Sequence, residues 1–377
     1  MNTATDHRAM LRDSVADFTA RTPGIERMRR LRGDPAEYDR AVWRQMGELG
    51  WLGILVPERY GGMGLGLAEA AIVAEGLARV LAPEPYTAAA VLAARVIDAS
   101  GNEAFRQDKL PQLAAGALIP ALAWQERAGV LDAAAITTRA VPFEGGFRIS
   151  GAKRFIAGAA GADGVLVTAR ADAEPVVVWI PRDASGAALD LEPLADGRHF
   201  GALTLTDVAV PAEHVLARGA AALAALARAL DHAAAVAGAE LYGVMGRALE
   251  MSLDYMKTRV QFGKPIGSFQ ALQHRAVDLY IQRELASAVL EETLRELDAE
   301  PAAERRAVLA SRAKARCSDA GLRITREAIQ IHGAIGFTDE YDAGLYLKRA
   351  MVLAAWLGTA AHHRRRYAAL ALQREAA

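Results

Sequence analysis

From Asp6 to about Gly116 the apolar positions recur at helical spacing. Ala41, Trp43, Met46 and Leu49 predict one amphipathic helix, and Ala68 to Leu81 predicts an alanine-rich second. Pro57-Glu58-Arg59-Tyr60-Gly61-Gly62 between them reads as a loop from its Pro and Gly content. Around Ile119 the pattern shortens to β-branched and aliphatic runs. Gly145-Gly146 divides Ala135–Val141 from Phe147–Ser150 as a hairpin, and Val165–Ala169, Val176–Ile180 and Ala202–Leu205 add strands punctuated by Pro181, Pro193 and Pro211. From Ala220 to Ala377 helical periodicity returns, interrupted at Phe262–Gly267 and Gly333–Gly336, which suggests an antiparallel bundle. The expectation is an α+β chain, mostly α. It has an N-terminal helical domain over 1–118, a small β domain over 119–216 and a C-terminal helical bundle over 217–377.

Composition narrows the function. The chain has 377 residues, 52% of them hydrophobic and 24% charged, and its 44 Lys+Arg are matched by 45 Asp+Glu. A basic surface for nucleic acid is therefore not expected. One cysteine, Cys317, excludes an intrachain disulfide and any multi-cysteine metal site, which fits a cytoplasmic setting. The polar start, MNTATDHRAMLRDSV, lacks a secretory apolar core, and the longest apolar candidate, Gly219 to Leu230, is alanine-rich and broken by Arg228. No membrane span is expected.

The most specific stretch runs Tyr255-Met256-Lys257-Thr258-Arg259-Val260-Gln261-Phe262-Gly263-Lys264-Pro265-Ile266-Gly267-Ser268-Phe269-Gln270. It resembles the R-x-x-F-G-x-P-I-x-x-F-Q signature of the acyl-CoA dehydrogenases. The resemblance implies a helical front, a barrel-like β middle and a helical bundle, with this connection meeting the FAD of a neighbouring subunit. Arg259 offers a planar fork for diphosphate oxygens, Phe262 an apolar face, and Gln261 and Gln270 neutral hydrogen bonds. Gln330-Ile331-His332-Gly333-Ala334-Ile335-Gly336-Phe337-Thr338 is similar to the family's Q-x-x-G-G-x-G-F/Y-T segment beside the adenosine half. Gln330, Gly333 and Ala334 are its expected contacts, with Ala334 in place of a second glycine. His332 has no neighbouring cluster at metal spacing, so it reads as structural and no metal is expected.

Gly151-Ala152-Lys153-Arg154-Phe155-Ile156 is similar to G-x-K-x-W-I-T, which places Phe155 and Ala157 against the flavin ring, with the usual threonine hydroxyl lost at Ala157. Ala123-Trp124-Gln125-Glu126-Arg127 falls where relatives have A-x-x-T-E-P, so Trp124 and Gln125 are further expected contacts. Pro57–Gly64 and Asp207–Pro211 extend the match over nearly the whole chain. The texture is most similar to the short subunits of pimeloyl-CoA-type and steroid-side-chain-type dehydrogenases, which assemble with a longer homologous partner.

The implied reaction takes an α proton from an acyl-CoA thioester and a β hydride to flavin, giving a 2-enoyl-CoA, with electron-transfer flavoprotein as acceptor. A general base is needed, and a Glu in an apolar pocket suits it because desolvation raises its pKa. Where relatives carry Glu-Gly-Thr this chain has Leu357-Gly358-Thr359, so that carboxylate is absent while Thr359 remains as a cofactor contact. A second family position aligns near Ala233. Glu240 shares its helix face two turns on, among Val236, Ala237, Gly243 and Val244, and is the first choice for the base, with Asp231 second. The alternative is a chain without its own base that cradles FAD for a catalytic homologue. A homotetramer or a heterotetramer is implied. The tail His362-His363-Arg364-Arg365-Arg366 reads as a solvated helix end placed favourably for the dipole.

Overall fold

The computed structural model describes residues 3–375 apart from 33 and 35–37. The chain forms two compact units, one made of Met1–Glu26, Ala71–Ala82 and Ala234–Ala377, the other of Arg27–Ala70 and Pro83–Ala233.

The front of the chain is helical as the pattern predicts: α1 (Thr3–Arg21), α2 (Gly24–Leu31), α3 (Arg40–Glu48), α4 (Leu67–Arg79), α5 (Ala94–Asp98) and α6 (Glu103–Ala114). Asp39 caps α3 by accepting from the Ala41 amide at 2.8 Å, satisfying one of the first turn's orphan donors. That helix buries Val42, Trp43 and Met46, so its stripe is rotated from the expected one and Ala41 and Leu49 are exposed. A π-helical stretch, Thr87–Ala93, runs directly into α5 and is buried along its whole length.

Eight strands follow: β1 (Pro120–Ala123), β2 (Arg139–Phe143), β3 (Gly146–Ala157), β4 (Gly164–Ala171), β5 (Glu174–Pro181), β6 (Ala187–Pro193), β7 (His199–Pro211) and β8 (Val215–Arg218). They form one mixed sheet in the order β6-β7-β3-β2-β4-β5-β8, with β1 added parallel to β4. The expected hairpin is β2–β3, closed by the Phe143–Gly146 pair over a two-residue turn in which Gly145 has φ 91°. Ile149, Ile156, Val167, Val176 and Val178 are wholly buried and, with their neighbours on the sheet, make its core.

After the sheet, α7 (Gly219–Thr258), whose residues from Ala234 onward belong to the other unit, leads into a short hairpin, β9 (Val260–Gln261) and β10 (Lys264–Pro265). Then come α8 (Gln270–Asp298), α9 (Ala303–His332), α10 (Ala343–Ala355) and α11 (Ala360–Glu375). Helix α9 is the axis of this bundle, packed by α8, α10 and α11. Both expected interruptions are present. Two further ones, at 299–302 and 356–359, escaped the pattern because each is only four residues long. Residues 71–82 dock on the bundle through Tyr346, whose hydroxyl donates to the Arg79 carbonyl at 2.6 Å, and through buried Arg349, which donates to the Ala82 carbonyl at 3.2 Å. Gly243 is needed there, since a Cβ would lie 2.3 Å from the Glu75 carbonyl oxygen. Helix α7 is long and apolar enough to pass as a membrane span, but 61% of its apolar window is buried within the fold.

Candidate active site

The Arg259 segment folds as a tight hairpin. Gln261 pairs with Lys264 and Val260 with Pro265, leaving Phe262-Gly263 as the turn with φ 53° and 77°. Two positive φ values match the right-handed strand twist, and holding a phenylalanine there costs about 1–2 kcal/mol. The result is a ring 92% exposed, set edge-on to Phe269 at 6.2 Å. The hairpin is fixed to the end of α7: the Arg259 amide donates to the Tyr255 carbonyl, and the Ile266 amide donates to the Arg259 carbonyl, both at 2.8 Å. Gly267 packs so closely that a Cβ would lie 2.9 Å from the Met256 carbonyl oxygen. Arg259 itself is exposed, and among the described residues nothing pairs with its guanidinium. Gln270 opens α8, exposed, while Gln261 donates locally to the Val260 carbonyl at 2.8 Å.

The second segment begins where α9 ends. Gly333, at φ 64° and ψ −137°, adopts a backbone that glycine alone takes readily, and its amide donates to the Ile329 carbonyl. A Cβ at Gly333 would meet nothing within 4 Å, so the space above it is open. Gln330 and Ala334 are exposed and Phe337 is 83% exposed. His332 is buried, and no group of three or more metal-ligating side chains exists among the described residues.

The third segment is the corner between α10 and α11. Leu357 stands there at φ 59° and 9% exposed, with no group able to accept a proton. Thr359 immediately precedes α11, its hydroxyl accepting from the His362 amide at 3.3 Å. The corner is clamped from behind by Lys314 of α9, whose ammonium donates to the carbonyls of Leu353 at 2.8 Å and Gly358 at 3.1 Å and to the Ser318 hydroxyl at 3.2 Å. His363 Nε2 donates to the Leu357 carbonyl at 3.0 Å. Burial pulls Lys314 down to about 7, although Cys317 and Glu240 oppose it, and burial pushes Cys317 up to about 12. His363 is driven down to about 3 by burial and by the Lys314 charge. Sequence reasoning passed over Lys314. The signal was present, because Ala310, Lys314, Cys317, Gly321 and Ile324 follow one another at the spacing of a single buried stripe.

Glu240 is half-buried on α7 and has no partner on its own helix, but the Lys314 ammonium of α9 feels its charge. The tail motif is placed differently from its expectation. His362 to Arg366 lie in the first two turns of α11, where the dipole disfavours cations. Accordingly His363 turns inward under the corner, and Arg364 pairs with Asp319.

In the other unit Trp124 is 9% exposed and Gln125 half-buried, the Gln125 carbonyl accepting from the Arg154 amide at 2.8 Å. Phe155 sits at φ 58° in a bulge of β3, half-buried and edge-on to Phe200 at 6.4 Å, and half-buried Ala157 pairs with Phe200 in the sheet. Between these residues lies a buried ion pair that the motif reading left out. Lys153 Nζ donates to Glu126 at 2.7 Å and to the Thr168 hydroxyl at 2.9 Å. Glu126 also accepts from the amides and hydroxyls of Thr137 and Thr138. Burial alone would raise the Glu126 carboxyl, but the hydrogen bonds of Lys153 and the two threonines hold it at about 2. Burial lowers Lys153 to about 8 against the pull of Glu126. Asp231 is 2% exposed on the first half of α7.

Comparison with known proteins shows the family. Residues 5–117 match the family model described as acyl-CoA dehydrogenase, N-terminal domain, and residues 222–372 the model described as acyl-CoA dehydrogenase, C-terminal domain. The acyl-CoA dehydrogenase IpdE2 of Mycobacterium tuberculosis is 31% identical, the alignment covering 92% of each chain. The chain belongs to the acyl-CoA dehydrogenase family, oxidoreductases of lipid metabolism. Among solved structures, a variant of the Tcur3481-Tcur3483 steroid acyl-CoA dehydrogenase superimposes with a TM-score of 0.89 at 29% identity, covering 99% of each chain. The ChsE4-ChsE5 complex from Mycobacterium tuberculosis does so with a TM-score of 0.87 at 26% identity, covering 97% of each.

Proposed function

We propose that the chain binds FAD and an acyl-CoA thioester and serves in α,β-dehydrogenation of the thioester to a 2-enoyl-CoA. The observation that carries this reading is the exposed Arg259 guanidinium, free of any partner among the described residues, on a hairpin that holds Phe262 outward. A protein has little reason to maintain a strained aromatic beside a free cation unless a ligand covers both. The donor set fits FAD: Arg259 for the diphosphate, Gln261, Gln270 and Gln330 for neutral hydrogen bonds, and Gly333 and Ala334 for close backbone approach. Thr359 completes that side. Trp124, Gln125, Phe155 and Ala157 are the proposed flavin-ring contacts for this subunit's own FAD, the Arg259 hairpin meeting the FAD of a neighbouring subunit. When bound, FAD would supply the hydride acceptor. The chain's own task is to hold the thioester, keep water out and accept the α proton, for which Glu240 is proposed and Asp231 is the second choice.

A second reading is favoured by Leu357, which leaves the corner without a carboxylate. In it the chain cradles FAD for a longer catalytic homologue within a heterotetramer. Helix α8 supports assembly of either kind, since Val277, Tyr280, Ile281 and Leu285 are each about half-exposed along one face. Electron-transfer flavoprotein is the proposed acceptor and the cytoplasm the proposed location. The test is anaerobic bleaching of the purified chain's flavin by a panel of acyl-CoAs. Bleaching by the chain alone supports the first reading, and bleaching only after a longer homologous subunit is added supports the second.

A further inference from the structure

We propose that His332 is a positioning residue for the cofactor: with Tyr255 and Tyr341 it locks the Arg259 hairpin and the Gly333–Phe337 turn into one continuous binding surface. This inference rests on the FAD reading above. The hairpin hangs from the last turn of α7 and the glycine turn from the last turn of α9, so the register between them depends on how those two helix ends are joined. They are joined by rings. Tyr255, one turn before Arg259, has its ring centroid 4.5 Å from that of His332, the last residue of α9, and Tyr341, in the bend before α10, has its ring centroid 4.6 Å from that of His332.

Hydrogen bonding fixes the imidazole within this cluster. The Ala328 carbonyl, 2.7 Å from Nδ1, can only accept, so Nδ1 carries the proton. Nε2 then offers a lone pair, and the Tyr341 hydroxyl donates to it at 2.9 Å. Burial lowers the His332 pKa, against the opposing pull of the Ala328 and Met251 backbone carbonyls. The turn is also pressed onto this histidine, because a Cβ at Gly336 would lie 3.2 Å from the His332 Cβ and 2.9 Å from the Ile329 carbonyl oxygen. On the two segments a Cβ at Gly263 or at Gly333 would meet nothing within 4 Å, and Phe262 and Phe337 are their two most exposed aromatic rings. The cluster thus braces a surface from beneath without reaching the ligand, which sets it apart from Arg259.

The test is the FAD dissociation constant of the full chain, read by quenching of flavin fluorescence, together with the melting temperature of the FAD-free protein. Tyr341→Phe removes one hydroxyl and keeps the ring. It is expected to weaken FAD roughly fivefold, the size of one neutral hydrogen bond, with the FAD-free melting temperature unchanged. His332→Leu is expected to weaken FAD further, and His332→Gln, whose amide can both donate to Ala328 and accept from Tyr341, to recover part of the loss. Wild-type affinity in Tyr341→Phe overturns the proposal. So does a loss in both His332 variants that follows a lowered FAD-free melting temperature, which would mark a purely structural histidine. A wild-type chain that takes up no FAD overturns the cofactor reading itself, and this inference with it.

Discussion

Lys153 and Glu126 form a salt bridge at 2.7 Å in which the lysine is fully buried and the glutamate side chain only 6% exposed. Cutting one side of such a pair strands a charge away from water. Lys153→Met is therefore expected to destabilise the chain by about 3–5 kcal/mol in urea unfolding, and the double change with Glu126→Leu to regain most of it. A single variant as stable as wild type would show that the pair is not holding the Trp124–Thr138 connection.

The same pair gives a pH dependence. Glu126 is held at about 2 from a usual 4.5, so as pH falls the unfolded chain takes up this proton first. Its contribution to stability is complete above the unfolded value and is lost progressively towards the folded one. The melting-temperature gap between wild type and Glu126→Gln is expected to narrow as the pH drops from neutral to about 3. A constant gap would contradict the hydrogen-bonding scheme around Glu126.

Glu240→Gln is expected to abolish dehydrogenation of acyl-CoA while leaving FAD bound, as judged by stopped-flow bleaching and by the visible spectrum. Unchanged bleaching would remove Glu240 from the reaction.

Leu357→Glu probes the other possibility. Lys314 and His363 already hold the backbone of that corner, so a carboxylate installed there needs no rearrangement of its supports. The variant is expected to bleach with acyl-CoA if the native chain does not. Failure to bleach in a variant that binds FAD normally would show that more than the base has been lost.

Helix α8 offers an assembly prediction. Leu285→Arg and Tyr280→Glu place charge in its half-exposed apolar stripe and are expected to shift light-scattering mass towards the monomer. An unchanged mass would exclude this face as a subunit contact.

Much of the architecture was legible because helix and strand differ in period, and this chain changes period cleanly near Ile119 and again near Ala220. Strand β6 was passed over although Leu189-Asp190-Leu191-Glu192 alternates apolar and polar, because the run is short and none of its residues is fully buried. The Arg259 and Gly333 segments were readable from their motifs because each glycine and proline there serves a backbone need, as Gly263, Gly267 and Gly333 illustrate. What a linear reading could not supply were the supports. Lys314 meets carbonyls about forty residues away, Lys153 meets Glu126 across the sheet, and His332 meets Tyr255 from another helix. Such pairings exist only after packing.

The most direct test of the whole account is FAD binding by the purified chain and by Arg259→Met, followed by flavin fluorescence. Wild type is expected to bind FAD and the variant, which keeps an aliphatic stem but loses the guanidinium fork, to bind about tenfold or more weakly. Equal affinity in the two proteins, or no flavin bound by either, would contradict it.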